Sequence, residues 1–315
     1  MSERITRLAP SPTGALHLGN ARTFLINYLL ARQRHWRVLM RIEDLDTPRT
    51  KRGADVQALD DLAWLGLTWQ TPVLYQSTRG GAYESALGHL VRLGQAYPCV
   101  CTRKDIELAG GAPHAEDHVV AYPNTCRGRF SGAEQAEQES GRPPAWRVLA
   151  GPEAIGVDDA LAGVHTFALA DTCGDFVVFR RTGQAGYQLA VVVDDAESRV
   201  NEIVRADDLL ASAAMQIHLR RLLGLGPEPR YWHVPLVVGP DGRRLAKRHG
   251  DTRLSHYRSL GTPVERLLGL LGYWCGVLPS RRETTMDELL ARFDVGRLPP
   301  APVTFTDQDD RFLVG

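Results

Sequence analysis

The spacing of hydrophobic and polar residues predicts alternating strands and helices near the start of the chain. ITRLAP (residues 5–10) is short, apolar and bounded by proline, as expected of a buried strand. Residues 21–34 carry apolar side chains at helical spacing, VLMRIED (38–44) predicts a second strand that ends in acids, and residues 53–66 predict a second helix. This strand–helix–strand order favours an α/β fold with a doubly wound parallel sheet.

The middle of the chain has a different pattern. Residues 99–150 contain Gly-Gly, several prolines and the polar run SGAEQAEQES, which predict an irregular insertion. Alternating strand and helix signals resume over residues 187–238, where the run GYQLAVVVDD is followed by a helix near 208–224 and then by YWHVPLVVG as a strand. The last predicted features are a basic, turn-rich loop and two helices, at 239–251, 263–276 and 286–293.

Composition limits the classes of partner and compartment. The 315 residues include 37 Lys+Arg and 37 Asp+Glu, so a nucleic-acid partner would have to meet a local basic patch. No apolar run approaches the ~20 residues of a membrane-spanning helix, and MSERITRLAP has no apolar signal region, so we expect no membrane association. Five cysteines, an odd and small number, argue against a disulfide framework. We therefore expect a cytoplasmic protein.

The stretch SPTGALHLGN (11–20) lies between the first predicted strand and the first helix. A glycine-rich turn at a helix N-terminus offers backbone N–H groups and a favourable dipole to an anion, and His17 and Asn20 would add side-chain donors. The alternative is a loop whose glycines only permit a tight turn. This stretch alone does not decide between the two interpretations.

A second set of motifs gives this stretch a context. RLAPSPTGALHLGN and RRLAKRHGD resemble the HIGH-type and KMSKS-type ATP signatures of class I aminoacyl-tRNA synthetases. RIEDLD (41–46), GYQLA (186–190) and RADDLL (205–210) match patterns of the glutamyl branch in the expected order. The resemblance runs along most of the chain. It implies a Rossmann-type doubly wound parallel sheet with an inserted zinc-bearing subdomain and a small helical C-terminal cap.

The resemblance also implies where ATP binds, as a substrate together with Mg²⁺. His17 and Lys247 would be catalytic, because donors aimed at the α-phosphate and the departing pyrophosphate stabilise the charge of the transition state. The ATP-binding residues implied by the resemblance are His17, Gly19, Asn20, Arg244, Lys247 and Arg248. Arg244 and Arg248 have the alternative of forming a solvated basic loop. Asn20 in the last HIGH position and Ala246 in place of a serine depart from the usual pattern.

Within the same resemblance, L-glutamate is the amino acid that is activated. Glutamate has two carboxylates and one ammonium, so its pocket needs forked donors and one acid. The implied glutamate-binding residues are Arg7, Ala9, Ser11, Glu43, Tyr187 and Arg205. A glutamine side chain would leave a buried arginine without its charge partner, which is how such a site rejects it. Outside the motif context, a surface salt bridge for Arg205 and a core position for Tyr187 are the simpler interpretations.

Three of the five cysteines cluster in sequence. Cys99 and Cys101 are two apart, and Cys126 follows in AYPNTC. A structural zinc site needs four protein ligands, so the fourth is one of His114, His118 and Tyr122, the alternative being three free buried thiols. The C-x-C…Y-x-x-x-C pattern resembles the zinc site of one synthetase subfamily in which tyrosine is a ligand, and this implies Cys99, Cys101, Tyr122 and Cys126. Cys173 and Cys275 are expected to be ordinary buried residues.

The chain has only a short stretch after Lys247, where a glutamyl-tRNA synthetase continues into a large helical anticodon-binding part. This length and the cysteine pattern resemble the glutamyl-Q tRNA(Asp) synthetases. That family activates glutamate and transfers it to queuosine at the wobble position in the anticodon stem-loop of tRNA(Asp). We expect no anticodon-binding domain and no DNA partner. The expected division is a first Rossmann half, a zinc-bearing insertion, a second half with the KMSKS-like loop and a helical end, at 1–98, 99–185, 186–251 and 252–315.

A local basic patch is predicted where the tRNA backbone would bind. Six basic residues near the KMSKS-like loop are accompanied in sequence only by Asp251: Arg243, Arg244, Lys247, Arg248, Arg253 and Arg258. Two other functions are consistent with some of these features. One is a shortened synthetase that charges the 3′ end of tRNA(Glu), and the other is an inactive paralogue that binds RNA.

Overall fold

The computed structural model describes residues 3–46, 49–102, 104–106, 121–245 and 249–315. The strands are β1 (Ile5–Leu8), β2 (Arg37–Ile42), β3 (Gln70–Tyr75), β4 (Ala96–Cys99), β5 (Ala145–Val148), β6 (Ala154–Asp159), β7 (Gly163–Ala168), β8 (Phe176–Phe179), β9 (Glu202–Ala206), β10 (Arg230–Val234), β11 (Val237–Val238) and β12 (Val303–Thr304). The α-helices are α1 (Leu18–Gln33), α2 (Ala54–Trp64), α3 (Gly80–Arg92), α4 (Ala133–Ser140), α5 (Leu169–Thr172), α6 (Tyr187–Glu197), α7 (Leu210–Leu222), α8 (Leu254–Ser259), α9 (Val264–Trp274), α10 (Met286–Arg292) and α11 (Asp307–Val314).

Parallel strands form the centre of the fold, as the strand–helix–strand pattern predicted. β1 and β3 flank β2 in one parallel group, and β10 lies between β9 and β6 in another. The two groups meet at β1 and β9, because the backbone N–H of Asn201 donates to the carbonyl of Ile5 over 3.0 Å. The strand order therefore reverses between β1 and β9: β2 and β3 extend the sheet on one side, and β10 and β6 extend it on the other. Doubly wound sheets bind ligands at the carboxyl ends of the strands beside such a reversal.

Helix α1 and the C-terminal helices share one hydrophobic core. The core-facing side chains of α1 are fully buried and belong to the same cluster as the leucines of α9 and the indole of Trp274. Gly269 of α9 is required by this packing, since a Cβ there would lie 1.8 Å from the carbonyl oxygen of Arg282. The helices predicted over 263–276 and 286–293 are thus confirmed as α9 and α10. They pack directly on the first strand–helix–strand unit.

The region predicted as an irregular insertion contains regular structure, so that prediction was wrong in part. The polar run SGAEQAEQES includes α4, which buries Ala136 and ends at Gly141 with a left-handed backbone (φ 71°). Strands β4, β5 and β8 form an antiparallel sheet. A short polar helix buries too few apolar residues to give a clear periodic signal, which explains the error.

The run GYQLAVVVDD, the first element of the alternation predicted over 187–238, forms helix α6. The strand of that unit is β9, which the sequence analysis did not identify. Three consecutive valines favour a strand by propensity, but α6 is packed between α3 and α7 and buries all three. Tertiary packing therefore outweighs local preference here. Within the described residues, we find no helix with the length and apolar character needed to cross a membrane.

Candidate active site

A cavity of about 550 Å³ opens beside the carboxyl ends of β1 and β9. It lies at the point where the sheet reverses its growth, which is the expected ligand position in this class of fold. Nine of the residues selected from the sequence line it: Arg7, Ala9, Ser11, His17, Asn20, Glu43, Tyr187, Arg205 and Arg244. The structure thus brings together residues that are far apart along the chain.

The N-terminus of α1 differs from the predicted anion site. Its first backbone N–H groups already have partners: Leu18 donates to the carbonyl of Thr252 over 2.9 Å, and Gly19 and Asn20 donate to Nδ1 of His17 over 3.1 and 3.3 Å. The prediction of unpaired N–H groups in this turn is therefore wrong for these three residues. His17 caps the helix with its own ring, and Gly19 leaves room for that ring, since a Cβ there would lie only 3.0 Å from it.

The capping contact fixes the protonation of His17. Because Nδ1 accepts two backbone hydrogen bonds, it carries no proton, and the proton of the neutral ring is on Nε2. Burial, assisted by the nearby charge of Arg244, lowers the pKa of His17 to about 4. His17 is therefore a neutral ring at physiological pH. It offers one N–H donor at the edge of the cavity, and it does so without a positive charge.

A buried cluster of charges forms one wall of the cavity. Asp195 of α6 accepts hydrogen bonds from the guanidinium groups of Arg7 and Arg41, the first over 3.3 Å. Arg41 also donates to Glu43 over 3.0 Å, and the hydroxyl of Ser11 donates to the other oxygen of Glu43 over 3.4 Å. All of these charged side chains are at most 10% exposed. Glu43 is thereby held with its carboxylate at the cavity.

The charge balance of this wall suits an acidic amino acid. Arg7, Arg41 and Arg205 bring three guanidinium groups to this wall, and Asp195 and Glu43 supply its carboxylates. Burial alone would raise the pKa of Asp195, but Arg41 and Arg7 outweigh it and hold that pKa below its ordinary value. Asp195 is therefore ionised at neutral pH. Glutamate carries one net negative charge, which the guanidinium groups of this wall favour.

Arg205 is fixed by three hydrogen bonds from its guanidinium group. Nε donates to Nε2 of His233 over 2.9 Å, Nη1 to the side chain of Gln216 over 2.8 Å, and Nη2 to the carbonyl of Leu209 over 3.2 Å. Arg205 is only 5% exposed, so it is a buried pocket residue and not a surface salt bridge. Burial raises the pKa of Tyr187, and its hydroxyl keeps its proton and remains a donor in the cavity.

A second cavity of about 460 Å³ adjoins the first and shares His17 and Arg244 with it. Lys51, Arg253 and Asp251 also line it, so basic side chains outnumber acidic ones there. The predicted ATP-binding residues Lys247 and Arg248 lie outside the described residues, and so does Ala246. Their roles remain predictions from the motif. Arg244 is the predicted ATP-binding residue of this loop that the structure describes, and it lines both cavities.

The predicted basic patch is less positive than its sequence indicates. Arg244 donates to Asp208 over 2.7 Å, and Arg258 lies 4.0 Å from Asp61 in an ion pair. Asp251 is the only acid among residues 243–258, but the fold brings two more acids, Asp208 and Asp61, to these arginines. Arg253 is half exposed and pairs with Asp251. The surface charge near this loop depends on long-range packing as well as on composition.

Three cysteines and one tyrosine converge in the region between β4 and β5. The Sγ atoms of Cys99, Cys101 and Cys126 lie within 4.8 Å of one another, and Sγ of Cys101 is 3.5 Å from that of Cys126. The hydroxyl of Tyr122 is 3.3 Å from Sγ of Cys99 and 3.5 Å from Sγ of Cys101. A tetrahedral zinc with Zn–S bonds of about 2.3 Å separates its sulfurs by roughly 3.8 Å. These four side chains fit such a site with small adjustments, whereas His114 and His118 lie outside the described residues.

Arg147 gives the cysteine cluster an electrostatic environment that suits anionic ligands. Its guanidinium carbon lies 3.6 Å from the centroid of the Tyr122 ring, and its Nε donates to Sγ of Cys99 over 3.3 Å. Three thiolates and one phenolate around Zn²⁺ would carry two net negative charges, and a buried arginine offsets one of them. Cys173 and Cys275 are buried outside this cluster, as predicted.

Several residues that shape the site are not among those selected from the sequence. Arg41 and Asp195 were present in RIEDLD and in GYQLAVVVDD, but neither was selected, because only their tertiary contact shows that they orient Arg7 and Glu43. His233 lies within YWHVPLVVG, which was interpreted only as a strand. A polar residue inside an apolar strand was the available signal, since buried polar groups need partners.

Comparison with known proteins gives consistent results along nearly the whole chain. The family model for the catalytic domain of class I tRNA synthetases (E and Q) matches residues 4–309. A glutamyl-Q tRNA(Asp) synthetase of Rhodopirellula baltica is 42% identical over 98% of this chain and 98% of its own length. One of Nocardia farcinica is 46% identical over 96% of this chain and 93% of its own.

A solved structure shows the same fold. The crystal structure of a glutamate tRNA ligase from Elizabethkingia meningosepticum in complex with its amino acid superposes with a TM-score of 0.82, covering 99% of this chain and 69% of that one. The identity is 24%, so this likeness concerns the fold alone. It confirms the expected class I architecture with a parallel sheet.

Proposed function

Because this chain belongs to the glutamyl-Q tRNA(Asp) synthetase family of the class I tRNA synthetases, we propose that it activates L-glutamate with ATP and transfers it to queuosine of tRNA(Asp). In the first step a glutamate carboxylate attacks the α-phosphate of ATP and pyrophosphate leaves. In the second, a hydroxyl of the queuosine ring attacks the activated carbonyl carbon, loses its proton, and AMP leaves. The enzyme is a ligase, and queuosine in the anticodon loop is its acceptor.

The observation that carries the glutamate assignment is the charge of the first cavity. Arg7 and Arg205 supply guanidinium donors for carboxylates, and Glu43 supplies the acceptor for the ammonium. Both arginines are buried, so a glutamine in place of glutamate would leave one of them with uncompensated charge. Ser11 and Tyr187 complete the polar lining, and the backbone of Ala9 borders it.

We assign ATP to the boundary between the two cavities. His17 directs an uncharged N–H there, and Arg244 adds a positive charge. Asn20 lines the same wall, and Gly19 allows the ring of His17 to pack against the helix. We assign Lys247 and Arg248 to the phosphates on the motif alone. Mg²⁺ would accompany ATP, as the phosphates require counter-charge.

The acceptor is tested with radiolabelled glutamate and two forms of tRNA(Asp). We expect that queuosine-containing tRNA(Asp) becomes labelled, and that nuclease digestion then recovers the label in the anticodon-loop fragment. Queuosine-free tRNA(Asp) differs by one modified base and is the matched control, which should remain unlabelled. Arg253 and Lys51 border the basic second cavity and supply phosphate contacts, so binding should weaken with salt.

Other outcomes of this experiment identify the alternatives. Label on the 3′-terminal adenosine of tRNA(Glu) would replace the proposal with a synthetase that charges the 3′ end. Absence of both glutamate-dependent pyrophosphate exchange and transfer would indicate an RNA-binding paralogue without activity. Exchange without transfer to any tRNA would support glutamate activation and contradict the queuosine acceptor.

We also propose that residues 99–185 form an insertion with a structural zinc held by Cys99, Cys101, Tyr122 and Cys126. Their distances and the placement of Arg147 support this ligand set. Four protein ligands leave no open position for water, so the metal would stabilise the fold and take no part in the reaction. The hydrophobic cluster around these residues is small, which makes a metal a substantial source of stability.

Replacing Tyr122 by phenylalanine should weaken zinc binding by more than the roughly 10–100-fold typical of changes outside the ligand set. The wild-type protein should contain about one zinc per chain by elemental analysis. Chelator competition measures the affinity, and Cys101→Ser should lose the metal and lower the midpoint of thermal unfolding. Cys173→Ser is the matched control, because this buried cysteine lies outside the cluster. Undiminished zinc affinity in Tyr122→Phe would show that another residue is the fourth ligand.

A further inference from the structure

A buried chain of hydrogen bonds connects Arg205 to the strand pair β6 and β7. His233 is the Cα partner of Arg205 in the parallel pairing of β10 with β9, so the two side chains lie on the same face of the sheet. Nε of Arg205 donates to Nε2 of His233 over 2.9 Å, and Nδ1 of His233 lies 2.6 Å from Asp159. The side chains of His233 and Asp159 are both 0% exposed. Neither Asp159 nor His233 lines the first cavity.

The hydrogen bonds determine the tautomer of His233. Asp159 accepts from the backbone N–H groups of Leu161, Ala162 and His233 over 2.7–3.1 Å, which keeps it an ionised acceptor. Nδ1 of His233 must then donate to Asp159, and Nε2 must accept from Arg205, whose guanidinium has no acceptor. The ring is therefore neutral, in agreement with a pKa of His233 that burial lowers. Asp159 therefore determines the donor and the acceptor in each hydrogen bond between itself and Arg205.

We propose that Asp159 and His233 are positioning residues that orient the Arg205 guanidinium toward the carboxylate of the bound glutamate. Gln216 and the carbonyl of Leu209 hold the two terminal nitrogens, and His233 holds Nε, so the plane of the group is fixed by three contacts. One N–H on each terminal nitrogen then serves the ligand. Preorganisation of this kind lowers the cost of ordering the side chain when the ligand binds. The inference rests on the proposed contact of Arg205 with glutamate.

The variant Asp159→Asn tests this chain of hydrogen bonds by changing the tautomer of His233. The Asn oxygen would replace Oδ1, which accepts from the backbone of Leu161 and Ala162, so the amide nitrogen would face Nδ1 of His233. A donor at this position forces the proton of His233 onto Nε2, where it meets the N–H of Arg205. Two donors then face each other, and Arg205 has to turn away. The substitution hardly changes the volume of the side chain.

The experiment measures glutamate-dependent pyrophosphate exchange in the full chain. We expect Asp159→Asn and His233→Phe to raise the KM for glutamate by roughly 10–100-fold, the effect of one hydrogen bond to a charged group, with the KM for ATP nearly unchanged. His233→Gln should stay close to wild type, since its side-chain oxygen can accept from Arg205.

Arg205→Met separates failure of this inference from failure of the proposed function. If Arg205→Met leaves the KM for glutamate unchanged, both the contact and the positioning role are overturned. If Arg205→Met raises that KM while Asp159→Asn and His233→Phe do not, only the positioning role is overturned. If Asp159→Asn and His233→Phe raise the KM values for both glutamate and ATP and lower the unfolding midpoint, the two residues have a structural role. That outcome would also overturn the positioning role. Addition of Asp159→Asn to Arg205→Met should have no further effect on glutamate KM.

Discussion

Replacing His17 by asparagine is expected to lower the rate of ATP–pyrophosphate exchange by about 100–1,000-fold, the effect of removing one transition-state donor. Asparagine is a good N-cap, so it can accept from the N–H groups of Gly19 and Asn20 as the histidine ring does. The change therefore removes the N–H on Nε2 of His17 and keeps the helix terminus. Steady-state exchange assays at saturating ATP and glutamate measure the effect, and thermal unfolding should be close to that of the wild type.

The variant His17→Ala separates catalysis from capping. It should lose the same activity and in addition about 1 kcal/mol of stability, because the two N–H groups lose their acceptor. Exchange at the wild-type rate in His17→Asn would contradict the catalytic assignment. A loss of activity in His17→Ala alone would show that the ring acts only as a helix cap.

Replacing Asp195 by asparagine should destabilise the fold by about 3–5 kcal/mol, the usual cost of breaking a buried ion pair. Arg7 and Arg41 would then share the remaining charge of Glu43 in a site that is almost closed to solvent. The pKa of Asp195 lies below its ordinary value, so the folded state binds this proton less readily than the unfolded state. Its stabilisation is thus present above a pH of about 4 and is lost as pH falls through the lowered pKa.

Urea unfolding at neutral pH and at lower pH measures this difference. Glu197→Gln is the matched control on the same helix, because Glu197 is 53% exposed and pairs with Arg79 at the surface. It should cost less than about 1 kcal/mol. Equal stability of Asp195→Asn and the wild type at neutral pH would mean that the arginines do not depend on this carboxylate.

The sequence by itself determined the class of fold and the identity of many cavity residues. Apolar periodicity located α1, α2, α9 and α10, because each buries one or more faces against the core and must repeat apolar side chains at helical spacing. The motifs led to Arg7, His17, Glu43, Tyr187 and Arg205. A pocket for a small charged molecule needs definite residue types in short, rigid segments, and such segments can be identified as motifs in the sequence.

The tertiary structure decided the partners of those residues. No local pattern shows that Asp195 joins Arg7 to Arg41, or that Asp159 acts on Arg205 through His233, since these contacts link residues far apart in the chain. Similarly, three consecutive valines favour a strand locally, and only the packing of α6 places them in a helix. Charges and hydrogen bonds act over a few ångströms in space, and only folding sets which distant residues come that close.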